Sequence, residues 1–164
     1  MLLIVLGMGF VVSRINGFRK EGEEGARIWF YDQSEKRLYE VPRDTIPPDK
    51  GIGGPAGDGV RAVVITFPGE QSDPGKRRVA YLETFTPEFK ELQERVRAAR
   101  VSGRTFDGHV PARESDYFQT NSLVKLPEES EWHAISSPEG RRIISAWRSM
   151  SGPDGQHPLV CVPR

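Results

Sequence analysis

The stretch Val60–Phe67, VRAVVITF, constrains the fold of this chain more than any other part of its sequence. It is nearly continuous in β-branched and apolar residues, interrupted by the single charge of Arg61. A strand with one wet face alternates apolar and polar residues. An unbroken apolar run reads as a central strand buried on both faces. The chain is therefore expected to build a sheet with cover on it.

Neighbours for that strand are legible on either side. Ile28–Tyr31 (IWFY) and Arg37–Val41 (RLYEV) are strand-like and flank DQSEK, which predicts a β-hairpin. Arg78–Glu83 (RVAYLE) follows the central strand after PGEQSDPGK, too long for a two-residue turn, so a hairpin with an exposed loop is expected. Between these pairs, residues 42–59 (PRDTIPPDKGIGGPAGDG) carry Pro and Gly at a density that excludes regular structure. They read as a long surface loop.

Thr86 opens the clearest helix, with Thr as N-cap and Pro87 at N1. Phe89, Leu92, Val96 and Ala99 form one apolar stripe at helical spacing, Glu91 and Arg95 are an i,i+4 pair, and Gly103 is the expected stop. Residues 104–120 are polar and read as irregular. Leu123–Leu126 and Trp132–Ile135 are short strand candidates around PEESE. In Ser136-Ser137-Pro138-Glu139, Ser136 and Glu139 have capping-box spacing, while Ser137 with Pro138 fits the Pro-at-N1 rule; both caps stay open. Ile143, Ile144 and Trp147 supply that helix's core stripe, Gly152-Pro153 its end, and Leu159–Val162 a last strand. The order predicts an α+β fold: a small antiparallel sheet with two helices, preceded by a short N-terminal apolar helix of membrane type.

That N-terminal segment, Leu2–Val12 (LLIVLGMGFVV), has no charge, and the first charged side chain is Arg14. A spanning helix needs about 20 apolar residues, so three readings compete: a membrane anchor extending upstream of Met1 and on to Ile15 or Phe18, a cleaved signal peptide, or a core element of the domain. Residues 19–27, RKEGEEGAR, resemble a flexible juxtamembrane linker and favour the anchor. The chain then divides into a membrane-type segment (1–18), a charged linker (19–27) and one globular domain (28–164). The expectation is a single-pass protein whose soluble domain is extracytoplasmic. Arg14, Arg19 and Lys20 by themselves favour the cytoplasmic side, a balance that residues upstream of Met1 could reverse, so orientation stays open.

Lys and Arg total 23 and Asp and Glu total 23, which argues against a nucleic-acid partner, since phosphate neutralisation supplies most of such affinity. With Cys161 alone, neither an internal disulfide nor an all-cysteine zinc site can form. The glycines of KGIGGPAGDG invite a phosphate-loop reading. Such loops open a helix, whereas this one holds Pro55, lacks Gly-Lys-Ser/Thr and leads into a strand, so a flexible loop is expected. Asp107, His109, Glu114 and Asp116 share one polar stretch that could hold a metal or perform acid–base work, although their spacing fits no metal template. His157 and Cys161 are separated by Pro158 in what reads as an extended segment, too far apart to act together; Cys161 reads as a small buried hydrophobe. No Gly-x-Ser-x-Gly elbow occurs. His133 reads as alternating beside Trp132, and Trp29, Phe30, Tyr31 and Tyr81 as mostly core, with one exposed for a partner.

The succession FYDQSEKRLYEVP, IPP, GVRAVVITF, AYLETFTPEFK and WHAISSPEG resembles small, uncharacterised membrane-anchored proteins of planctomycete-like bacteria. The resemblance covers residues 28–164 and implies an anchor and a fold type, with no activity attached. Relatives of that kind carry paired cysteines after the central strand and near the C-terminus. Here the first place is PGEQSDPG and the second holds only Cys161, so no metal or redox role carries over. No catalytic, cofactor-binding or metal residue is assigned. The expected function is a non-enzymatic, membrane-tethered accessory or interaction domain with a protein partner, as a subunit of a larger membrane complex in one version. The alternative is a metal-dependent or hydrolytic enzyme using the Asp107–Asp116 loop.

Overall fold

The computed structural model describes residues 25–108 and 114–163. The apolar segment 1–18 and most of the linker lie outside the described residues, as does His109. The fold is α+β, with every strand pair antiparallel. The strands are β1 (Arg27–Asp32), β2 (Arg37–Pro42), β3 (Gly59–Thr66), β4 (Arg78–Phe85), β5 (Ser122–Lys125), β6 (His133–Ala134) and β7 (Leu159–Val160). Their order in the sheet is β2-β1-β3-β4-β5-β6, with β7 paired to the far end of β3. β3 is the central strand that its composition demanded, with Val60, Val64 and Ile65 almost wholly buried. A bulge between Val63 and Val64 shifts its register with β4, which raises the local twist.

Among the described residues three α-helices accompany this sheet, where the sequence of the domain promised two. Helix α1 (Pro87–Val101) starts as expected: the Thr86 side chain accepts from Phe89 N at 3.4 Å and Pro87 sits at N1. Its stripe is only partly used, since Phe89 is buried while Leu92, Val96 and Ala99 are half-buried. Arg95 lies over the Phe106 ring, and Lys90 and Glu94 form an i,i+4 ion pair at 3.4 Å. Lys90 donates to Pro48 O and Arg97 pairs with Asp44 at 2.8 Å, so α1 also fastens the long loop.

Helix α2 (Glu114–Asn121) corrects the expectation of irregular structure over 104–120. Its sequence, ESDYFQTN, has poor intrinsic propensity. It is held by tertiary contacts: Phe118 is buried against Phe85 and Phe89, and Tyr117 meets Phe89 edge-on. Its last residue ties back to the start of α1: Thr86 Oγ1 donates to Asn121 Oδ1 at 2.9 Å and Thr86 N to Asn121 O at 2.9 Å.

Helix α3 (Pro138–Ala146) settles the open cap in favour of Ser137, whose Oγ accepts from Gly140 N at 2.9 Å and donates to Ala134 O at 2.7 Å. Gly140 is required there because a Cβ would run into Ala134 O. The helix ends earlier than Gly152, passing into a 3₁₀ turn at Trp147–Ser149. Ile143 and Trp147 sink into a cluster with Ile65, Ala80, Tyr81, Val124 and Ile135 on one face of the sheet. The other face carries a second cluster: Trp29, Val60, Ala62, Val64, Leu82 and Cys161, flanked by Tyr31, Leu38, Val79 and Trp132.

Candidate functional site

Besides Glu83 and Ser122, buried on the helix side of the sheet, buried polar groups occur at two further places. The first is the β1–β2 turn. Asp32 is fully buried; its Oδ1 accepts from Glu35 N at 2.8 Å and Ser34 Oγ at 3.1 Å, and its Oδ2 from Ile52 N at 2.5 Å. These donors, the Glu35 amide foremost, hold its pKa down at about 2 against the opposing effect of burial. Asp58 Oδ2 accepts from Ser34 N at 3.0 Å, and Tyr39 OH donates to Lys50 O at 3.1 Å. Burial, reinforced by Asp49, Asp32 and Asp58, pushes that phenol up to about 12. The glycine-rich segment is therefore a tethered loop and departs from the flexible one expected. Gly51 and Gly54 are glycines because a Cβ would strike the Asp32 carboxylate at the first and Asp58 with Ser34 at the second. Every acceptor named here is engaged by the protein's own backbone N–H groups or by the Ser34 and Tyr39 hydroxyls, so the arrangement shapes a loop.

The second place is the sheet face away from the helices. Directly opposed residues on antiparallel neighbours point to the same face. Trp29 pairs with Glu40, Ala62 with Leu82, and Leu82 with Lys125. Continuing the β1–β3 and β5–β6 registers puts Trp29 opposite Ala62 and Trp132 opposite Lys125. One row thus crosses the sheet with a tryptophan and a cation near each end. The Arg77 guanidinium lies 4.8 Å from the Trp29 ring centroid, and the Lys125 ammonium 4.9 Å from that of Trp132. The next row holds Tyr31 opposite Val60 and Thr84 opposite Leu123.

Polar groups on this face lack partners. Lys125 is 7% exposed and Thr84 6%. Trp29 Nε1, Thr66 Oγ1 and Thr84 Oγ1 are buried with no hydrogen-bond partner. Burial pushes the Lys125 pKa down while Glu129 pushes it back up. Burial raises Tyr31, and so does the charge of Glu128, which places the β5–β6 connection within electrostatic reach of β1. The face thus combines an apolar floor with buried polar atoms that have no hydrogen-bond partner.

The residues singled out from the sequence lie elsewhere. Asp107 is exposed beyond α1, Glu114 and Asp116 fall in the first turn of α2 with Asp116 exposed, and His109 lies outside the described residues. Among the described residues, no group of three or more His, Cys, Asp or Glu is placed to hold a metal. His157 is exposed while Cys161 is buried in the second cluster, its N–H donating to Val64 O at 2.8 Å as an extension of β7. His133 is half-buried in the row of Val124. Trp29, Phe30 and Tyr81 are core, and Tyr31 is the partly exposed member of that set. Lys125, Thr84 and Arg77 escaped sequence reasoning; the available signal was a lysine at an inward position of the SLVK strand.

No family model, curated protein or solved structure matches this chain.

Proposed function

We propose that this protein is a non-enzymatic, membrane-tethered accessory or interaction domain, anchored through its apolar N-terminal segment and acting through a protein partner. The observation that supports the reading is the uncharged apolar run Leu2–Val12 followed by the charged, glycine-containing stretch 19–27. The strands and the two apolar clusters described above are drawn from residues 27–161, downstream of the charged linker. In this reading Leu2–Val12 is the anchor and residues 19–27 the spacer to β1. Among the described residues, no helix is long and apolar enough to cross a membrane, so the tether in this reading is the N-terminal segment.

Fractionation of cells expressing a C-terminally tagged chain tests it, followed by protease treatment of intact cells whose outer envelope has been opened. A membrane-bound tag that is digested supports an anchored extracytoplasmic domain. A tag found in the soluble fraction would end the proposal.

A further inference from the structure

We propose that the C-terminal half of α1 is a docking surface for an anionic phospholipid bilayer, the membrane to which the chain is tethered. The inference rests on the anchored reading above. Two observations carry it: a basic run that the fold leaves exposed, and its place beside the point where the tether enters the domain.

From Arg95 to Phe106 the sequence is RVRAARVSGRTF, four arginines without an acidic residue. The buried residue of α1 is Phe89, in its first turn, whereas Arg95, Arg97, Arg100 and Arg104 are all exposed. Val101 is 79% exposed, the most of any large apolar side chain among the described residues. Arg100 and Val101 follow Arg97 by three and four positions, so the three share one side of the helix. Gly103, at φ 65°, closes the helix: its N donates to Arg100 O at 3.0 Å, and Arg104 N to Ala99 O at 2.9 Å. That closure holds Arg104 beside the last turn. A helix C-terminus attracts cations, but it carries only about half an elementary charge. Asp44 answers Arg97 at 2.8 Å in a pair open to solvent, and the exposed Asp107 follows the run. The four guanidinium charges outnumber these.

Asp44 lies two residues past the end of β2, and the adjacent Arg43 N donates to Ala26 O at 3.0 Å. Ala26 is where the linker joins β1. One ion pair and one backbone bond thus fasten the basic end of α1 to the domain's entry point. Fully extended, residues 19–27 reach at most about 30 Å, so a tethered domain holds this end within reach of the bilayer. Small side chains, Ala98, Ala99, Val101 and Ser102, separate the arginines. Guanidinium groups can then meet lipid phosphates while Val101 enters the headgroup boundary. Among the described residues this surface has no exposed aromatic anchor, the usual centre of a protein–protein contact, which favours lipid over a protein occupant.

The test uses the full chain carrying Val101→Cys, labelled with an environment-sensitive maleimide dye under native conditions, in which Cys161 is buried. It is reconstituted with vesicles of phosphatidylcholine alone, or of equal parts phosphatidylcholine and phosphatidylglycerol, and floated on a density gradient. The expected result is flotation with both, and a blue shift of the dye in the anionic vesicles alone that added sodium chloride reverses. An arginine near an anionic surface contributes about a fivefold preference, so Arg100→Glu with Arg104→Glu should lower docking at least tenfold. Lys76→Glu with Arg148→Glu makes the same change of net charge away from α1 and should leave the shift in place. Flotation with both vesicles and identical emission overturns the docking proposal and leaves the anchor standing. Equal losses in the two double variants also overturn it, since net charge would then explain the shift. Failure to float with neutral vesicles overturns the anchor instead: a shift on the anionic ones still supports docking, and its absence ends both.

Discussion

The two faces of the sheet solve the same burial problem in opposite ways. On the helix side, Ile65, Tyr81 and Val124 are capped by Ile143 and Trp147 of a separate element, and the helix that delivers them is closed by a cap whose hydroxyl both accepts and donates. On the other side no helix of the described chain contributes to the cluster. Long side chains of the sheet itself, Trp29 with Arg77 and Trp132 with Lys125, lean over small ones such as Ala62 and Val60. The first face holds a buried unpartnered hydroxyl, Ser122 Oγ. The second keeps unpaired donors in an apolar setting, which costs stability. The two faces thus differ in what covers the sheet: a helix on one, the sheet's own long side chains on the other.

The strongest attempt to break this contrast is Ile143→Ala. Ile143 is 1% exposed at the centre of the helix-side cluster, and such a truncation costs about 2–5 kcal/mol, read as a lowered urea midpoint at unchanged slope. Trp132→Ala, at a half-buried site on the other face, should cost clearly less. Equal losses would mean that the second face is as much a structural core as the first.

Acid sharpens the comparison from the loop side. Asp32 is held at about 2 when folded, against about 3.9 in an unfolded chain. Its contribution is therefore complete above pH 4 and is lost as pH falls from there through 2. Circular dichroism across that window should show destabilisation in the wild-type chain, with a shallower pH dependence in Asp32→Asn, which starts from a lower stability at pH 7. A parallel pH dependence in the two proteins would remove Asp32 from its role as the loop's anchor.

What could be read from the sequence was whatever is encoded locally. VRAVVITF declared a central strand by composition, and Thr86-Pro87 declared a helix start by cap chemistry, because neither depends on distant residues. Helix α2 stayed hidden because ESDYFQTN is helical only once Phe118 meets Phe85 and Phe89, a tertiary override of weak propensity. Asp32 looked like an ordinary turn residue, since its decisive partner, Ile52 N, lies 20 residues away. The shared face of Lys125 and Thr84 needed the β4–β5 register, which no periodicity reveals. The polar stretch 107–116 attracted chemical interest by composition, while the described part of it leaves Asp107 and Asp116 exposed.

The smaller effects compare hydroxyls across the two faces. Ser137 Oγ is fully used on the helix side, so Ser137→Ala should cost about 1 kcal/mol, the usual loss for an N-cap, seen as a lower melting temperature. Thr84 Oγ1 is buried and unused. Thr84→Val keeps the shape and removes a group that was desolvated without compensation, so stability should stay within about 1 kcal/mol of wild type or rise. A rise would show that the Thr84 hydroxyl is buried at a net cost to the fold. If Thr84→Val instead destabilises as much as Ser137→Ala, the hydroxyl has a partner within the protein. The second face would then be a packed core like the first, differing only in the side chains that build it.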